Sequence, residues 1–348
     1  MSGEIVAPET RDLDVLSAQL AHWLAGRLAG ASDVRVTNLD YPRGAGQSHE
    51  TILFDANWLA AGTRHTQGYV VRIKPTRQLV YPDDLFIEQY RLMRLLYEDG
   101  RVRVAQPFWF EESPALLGAA FFIMEKKIGR VPVSIPPYRE SGWVAEATPE
   151  QRRIMWKNGV HQLAAIQSIP LSAVQFLAGP DNARDGLAQE WDKYSRFITW
   201  MGGATFTPIL RAAMDRLQKL WPANQPPGLV WGDSRLGNMM FDENFDVIAV
   251  MDWEQPSLGG ALHDLAWWLV LSEAHHAAGP NRPFFEGMGT REETIALWQS
   301  LTGISAESVD WYEDFTRLKM SCLSLSTAKM GRYPHPDPAV MARRLKVG

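Results

Sequence analysis

The chain has 348 residues, 46% of them hydrophobic and 22% charged, a globular balance that excludes a disordered or low-complexity chain. At roughly 100–200 residues per domain, this length makes two lobes or domains. Thirty-five basic against 40 acidic residues leave a net charge of -5, which excludes a basic nucleic-acid footprint but not a locally charged anion site.

The first element in chain order is a helix over Leu13–Leu28, with Leu13, Leu16, Leu20, Trp23, Leu24 and Leu28 at helical spacing. Val34–Leu39, Glu50–Ala56 and Gly68–Lys74 read as strands, and Tyr41-Pro-Arg-Gly-Ala-Gly-Gln-Ser as a glycine-containing turn between the first two. Asp83–Tyr97 is an amphipathic helix, and Phe108–Glu111 and Ala120–Glu125 complete a five-stranded region. Beyond Ile128 the character changes. Val131-Pro-Val-Ser-Ile-Pro-Pro is a connector. Thr148, Pro149 and Gln151 form an N-cap, a first-turn proline and a capping-box partner for the next helix. Further helices are expected at 186–200, 207–221, 261–276, 291–302 and 306–330, with one β segment between Leu229 and Trp253. The expected fold class is α+β, bilobal: an antiparallel five-stranded N-terminal lobe over 1–127 and a mostly helical C-terminal lobe over 128–348.

Cys322 is the sole cysteine, so an intramolecular disulfide and a cysteine-based zinc cage are excluded; its apolar helical setting predicts a buried, inert thiol. The opening MSGEIVAPETRDLD lacks an apolar signal core, and the longest apolar run, Ala115–Met124, is too short to span a bilayer. A cytoplasmic setting without membrane or nucleic-acid partners is the expectation. Fourteen tryptophans suit either an aromatic-lined cavity or a core of large side chains. Oligomeric state leaves no trace in the sequence.

The stretch LVWGDSRLGNMMFDENFDVIAVMDWE, residues 229–254, carries the chemistry. Gly232-Asp-Ser-Arg-Leu-Gly-Asn is a polar loop, followed by two strands around the turn Asp242-Glu-Asn-Phe-Asp. With Phe241 paired to Val247, Asn238 lies opposite Val250, and Asp252 falls on the same face two residues on. An amide oxygen and a carboxylate at one hairpin mouth suit a hard cation such as Mg²⁺, completed by phosphates and water. Asp233, at the start of the loop, is placed to take the proton of an attacking hydroxyl.

These residues carry a resemblance. Trp231-Gly-Asp233-Ser-Arg235-Leu-Gly-Asn238, then Asp252-Trp-Glu, then Gly259-Gly-Ala-Leu-His-Asp264-Leu-Ala, resemble the aminoglycoside phosphotransferase-like kinases, which include choline-kinase-related enzymes. The likeness is closest to the branch found fused to, or near, acyl-CoA dehydrogenases. It implies a protein-kinase-like fold and ATP-dependent transfer of phosphate to a hydroxyl of a small molecule. On it Asp233 is the catalytic base, Asn238 and Asp252 hold Mg²⁺, and Arg235 steadies the loop or reaches a phosphate. Phosphoryl transfer needs positioning and charge neutralisation more than covalent help, so few residues suffice.

The resemblance extends to the nucleotide end. Gly44, Gly46, Gln47 and Ser48 correspond to the loop over the ATP phosphates, where backbone N–H groups can cradle anions. Arg72 corresponds to the family's phosphate-pairing base; strand alternation puts it on one face with Lys74, the reserve candidate. Glu125 and Lys127 fall at the hinge that meets adenine. Three positions depart from the pattern: Gln89 where a carboxylate pairs the strand cation, Trp231 where a histidine precedes Gly-Asp, and Gln167 where a helix ends in histidine. At the last two we expect structural support, and Asp264 is expected to brace the catalytic loop or cap a helix. His275 and His276 read as surface residues. The departures keep a second class in play, a catalytically idle nucleotide- or ligand-binding module. A protein Ser/Thr kinase is disfavoured, because Asp252 precedes Trp-Glu instead of Phe-Gly and no Ala-Pro-Glu segment follows.

Overall fold

The computed structural model describes residues 11–42, 49–76, 79–134, 137–178, 186–279 and 282–348. Gly44, Gly46, Gln47 and Ser48 lie outside the described residues. The chain divides into two compact units: one takes residues up to Leu79 with Met93–Glu98 and Val104–Ile128, the other Val80–Leu92, Asp99–Arg103 and Gly129–Gly348.

The first unit holds α1 (Leu13–Ala25), β1 (Ser32–Asp40), β2 (Glu50–Ala60) and β3 (Thr63–Ile73). Helix α2 (Phe86–Asp99) is shared between the two units; β4 (Pro107–Glu111) and β5 (Phe121–Glu125) follow. The strands form one five-stranded sheet in the order β1-β2-β3-β5-β4, with every pair antiparallel. Along β2, Glu50, Ile52, Phe54 and Ala56 are buried at a period of two, the signature of a half-buried strand. Their apolar members pack with Leu16, Leu20 and Leu24 of α1 and with Val71 and Ile73 of β3.

Strands β2 and β3 are longer than the sequence reading, which ended the one at Ala56 and began the other at Gly68. Asn57 pairs with Thr66 and Ala60 with Thr63. This outer half sets the half-buried Trp58, Leu59 and Ala60 of β2 against the polar, mostly exposed residues 63–67 of β3, so backbone pairing holds it without an apolar alternation. Ala61 (φ +49°) and Gly62 (φ +76°) close the hairpin in the two-residue turn whose twist matches paired strands.

The second unit is mostly helical. After α3 (Trp143–Glu146) comes α4 (Pro149–Ile166), then α5 (Leu187–Met201) and α6 (Thr207–Lys219). The hairpin β6 (Met239–Phe241) and β7 (Val247–Val250) precedes α7 (Leu262–His276), α8 (Arg291–Thr302), α9 (Val309–Lys329) and α10 (Pro338–Arg344). The capping box forms as its sequence predicts, with both Thr148–Gln151 bonds present. Helix α7 is buried without interruption from Leu262 to Val270, as befits a helix apolar on all sides, and it packs against α8 and α9. Trp156, Trp231, Trp253, Trp268 and Trp298 are fully buried, so much of the tryptophan content is core. Cys322 is buried as expected, and burial pushes its thiol up to about 12. No helix is long and apolar enough to cross a membrane among the described residues. The short α3, the 3-10 turn Leu171–Leu177 and α10 were absent from the sequence reading; helices this short carry too few turns for a periodic signal.

Candidate active site in the helical unit

The site grows from one backbone junction. Val230 exchanges hydrogen bonds with Ser257, so the segment entering the loop and the segment leaving the hairpin lie side by side. Gly232 has φ +108°, and a Cβ there would sit 2.8 Å from the Gln255 carbonyl oxygen. Only glycine allows both the conformation and the approach.

The loop then folds around Asp233. Its Oδ1 accepts from Trp267 Nε1 at 2.8 Å, and its Oδ2 accepts from Asn238 Nδ2 at 2.7 Å and Arg235 Nε at 3.0 Å. Asn238 Nδ2 also donates to the Asp233 carbonyl at 2.9 Å. Both uses engage the amide nitrogen, so Oδ1 is the Asn238 atom suited to a cation. Arg235 extends to Ser134 Oγ at 2.8 Å. Burial opposes its charge, but Asp233 and then Asp252 outweigh burial and raise its pKa. Burial raises the Tyr81 hydroxyl well above its usual range, with Glu254, Asp233 and Asp252 adding to it. The carboxylates of Asp233 and Asp252 thus act on the same neighbours.

The hairpin register corrects the sequence reading. Phe241 does pair with Val247, but Met240 pairs with Ala249 and Met239 with Val250. Ile248 is the extra residue of a β-bulge, which shifts the register by one. Asn238 is therefore not opposite Val250; its carbonyl accepts from Met251 N at 2.8 Å. Asp252 lies past the end of β7 with φ +63°, so strand alternation does not set its direction. The two oxygen donors still come within one residue of each other along the paired backbones. Among the described residues no three His, Cys, Asp or Glu side chains gather as a metal cage. One amide oxygen and one carboxylate make a donor set for a hard cation that keeps water or phosphate ligands.

Asp264 braces the loop from α7. Its carboxylate accepts from Trp231 N at 2.6 Å and Gly232 N at 3.0 Å, and its carbonyl accepts from Ser234 Oγ at 2.7 Å. Burial pushes its carboxyl up to about 6, against the pull of the two N–H groups. Trp231 supports as expected: Nε1 donates to the Met251 carbonyl at 2.8 Å, and its ring packs 5.7 Å from that of Trp253. Gln167 Nε2 donates to the Leu229 carbonyl at 3.0 Å.

Of the residues that the resemblance assigns to the nucleotide, Arg72 is buried in β3 with a guanidinium nitrogen 3.2 Å from His49 Nδ1. Glu125 accepts from Gln106 N at 3.3 Å and pairs with Lys127 Nζ at 2.9 Å. Gln89 is fully buried, and neither of its amide atoms has a hydrogen-bond partner among the described residues. The histidine pair is not superficial. His276 is buried, with Nε2 2.5 Å from Tyr138 Oη, and burial lowers it to about 3. His275 is half-buried and stacks on Tyr138 at 5.0 Å. Tyr138 covers both at the end of α7, while Glu273 and Ala274 of the same turn are exposed, which adjacency in sequence does not reveal.

Sequence reasoning missed Trp267. It follows Asp264 by three residues, so the two share one helix face; a polar partner for the loop at that spacing was the available signal.

An antiparallel five-stranded sheet in one unit, and in the other a helical body whose loop and hairpin carry Asp233, Asn238 and Asp252, define a kinase-like phosphotransferase fold. Residues 44–301 match the family model described as the phosphotransferase enzyme family, and the chain belongs to that family. Among curated relatives, the Arabidopsis thaliana protein named probable acyl-CoA dehydrogenase IBR3 is 28% identical over 86% of this chain. The chain spans 36% of that relative's length. A Ralstonia eutropha structure described as an aminoglycoside phosphotransferase aligns over 96% of this chain and 95% of its own, at 22% identity and TM-score 0.66. A structure described as an amicoumacin kinase in complex with AMP-PNP, Ca²⁺ and Ami aligns over 96% of this chain and 94% of its own, at 12% identity and TM-score 0.57.

Proposed function

We propose that the chain is an ATP-dependent phosphotransferase that moves the γ-phosphate to a hydroxyl of a small molecule. Asp233 serves as base, Arg235 steadies it, and Asn238 and Asp252 hold Mg²⁺. Residues 1–127 serve the nucleotide through Gly44, Gly46, Gln47, Ser48, Arg72, Glu125 and Lys127; residues 128–348 serve the acceptor. The setting is cytoplasmic. The observation that supports this reading is the clasp of Asn238 on Asp233: the amide nitrogen bonds the base, which leaves the amide oxygen for a cation. The AMP-PNP and Ca²⁺ of the amicoumacin kinase support a nucleotide and a divalent ion in a chain of this fold.

Asp233 takes up the hydroxyl proton as the oxygen attacks the γ-phosphorus. Arg235 keeps a positive charge beside it. Bound Mg²⁺ supplies neutralisation of phosphate charge. Asp264 and Trp231 fix the loop backbone, which confines the reacting groups.

The test is ADP formation from Mg·ATP against a panel of aminoglycosides, amino alcohols, hydroxy acids, hydroxyacyl thioesters and sugars. Asp233→Ala should abolish transfer with ATP binding retained, and Asp252→Ala should weaken Mg²⁺-dependent nucleotide binding. Wild-type transfer in both variants would refute the roles. A second reading, an idle nucleotide-binding module, draws on Gln89, a neutral and unbonded amide where the family carries a carboxylate. Calorimetric ATP binding without transfer to any acceptor would favour it.

A further inference from the structure

The hydrogen bonds around Asp233 distinguish its two oxygens. A carboxylate offers about four acceptor sites, two on each oxygen. Oδ2 receives two donors, Asn238 Nδ2 and Arg235 Nε. Among the described residues, Oδ1 receives one, Trp267 Nε1. Oδ2 is therefore filled, and one site remains on Oδ1. The Asp233 side chain keeps 26% of its surface exposed.

Trp267 itself is nearly buried, at 4% exposure. It stands one turn after Asp264 on the rigid α7. Asp264 grips the backbone of the loop at Trp231 and Gly232, and Trp267 grips the carboxylate of the next residue. The terminal torsion of an aspartate is broad and about two-fold. Two anchors one turn apart remove that freedom and aim Oδ1.

We propose that Oδ1 of Asp233 is the oxygen that takes the acceptor's proton, and that Trp267 is the positioning residue that presents it. This rests on the phosphotransferase reading above. In the step, the hydroxyl proton passes to Oδ1 while its oxygen bonds to the γ-phosphorus. The bond from that phosphorus to the β–γ bridging oxygen breaks, and ADP leaves with the electron pair. The proton later returns to solvent, which regenerates the carboxylate.

Trp267→Phe keeps the ring and removes the N–H. Turnover is read as ADP formation from Mg·ATP, with water as acceptor and with the best alcohol of the panel. The expected result is a kcat lower by ten- to a hundred-fold, with acceptor KM and calorimetric Mg·ATP affinity within threefold of wild type. Trp267→His, which keeps a ring N–H, should recover part of the loss. In an Asp233→Ala background, Trp267→Phe should change the residual rate by less than twofold, because Trp267 acts through Asp233. Wild-type kcat in Trp267→Phe, or an equal further loss in the Asp233→Ala background, overturns the proposal. Should the Phe variant fail to fold, the His variant decides: a folded His variant as slow as Asp233→Ala, or one at the wild-type kcat, overturns it, and a kcat between those limits with acceptor KM unchanged supports it. Asp233→Ala separates the two levels. If that variant retains full turnover, the base assignment itself falls; if it is inactive while Trp267→Phe is normal, only the role of Trp267 falls.

Discussion

Replacing Lys319 by methionine tests the buried polar cluster that anchors the segment after Asp252. Lys319 Nζ donates to Glu190 Oε2 at 2.8 Å and lies 3.1 Å from His263 Nδ1, and Lys319, Glu190 and His263 are all at most 2% exposed. Lys193 reaches Glu190 at 3.5 Å and the Gln255 carbonyl at 3.3 Å, while Ser257 Oγ donates to Glu190 at 2.7 Å. Burial works against the Glu190 charge, but Lys193, Lys319 and their neighbours hold its carboxyl well below the usual range. Removing one partner of a buried ion pair costs roughly 3–5 kcal/mol, because the other charge is stranded. Ser257 and Lys193 still serve Glu190, so the lower end, about 3 kcal/mol, is expected. Adding Glu190→Gln removes the stranded charge and should restore about 2 kcal/mol of it. Urea unfolding followed by tryptophan fluorescence measures both, read from the midpoint at constant slope. A single variant within about 1 kcal/mol of wild type, or a double variant whose loss equals the sum of the two singles, refutes the reasoning.

Two predictions concern pH. The Asp264 carboxyl is raised from 3.8 to about 6 by burial. The folded chain therefore holds a proton between those values that the unfolded chain has released, and stability from this group falls by about 3 kcal/mol as pH rises through that window. Asp264→Asn should remove this slope; parallel stability curves for variant and wild type from pH 4 to 7 would contradict it. His276 has the opposite sign, being lowered to about 3, by burial before the nearby His275 and Arg139. Its contribution is complete above about pH 6.5 and declines as pH falls toward 3. His276→Gln should flatten that decline in urea titrations between pH 7 and 4, and an unchanged acid limb would exclude the buried neutral imidazole as its source.

Much of the fold was legible because its signals are local. The Thr148–Gln151 capping box and the Leu16–Leu20–Leu24 stripe require only neighbours in sequence. The loop residues Asp233, Arg235 and Asn238 were legible for the same reason: their hydrogen bonds to one another span two to five positions. What stayed hidden is long-range. The bulge at Ile248 depends on how β6 and β7 meet, and no residue type announces it. Trp267 finds Asp233 across 34 positions, and Tyr138 finds His276 across 138. Lys319 of α9 finds Glu190 of α5 across 129 positions, and only packing shows that Glu190, Lys193 and Lys319 meet inside.

Asp233 and Asp264 show how environment divides labour between like groups. Asp264 has 1% exposure and gives both oxygens to backbone N–H groups; it has no open face for a substrate, and its work is to hold Trp231 and Gly232. Asp233 is a quarter exposed and bound by three side chains that leave one acceptor site on Oδ1. A proton acceptor needs reach, a fixed direction and a vacant lone pair together. Of the two aspartates, only Asp233 has all three, and the brace from Asp264 and Trp267 on a single helix turn gives it the second.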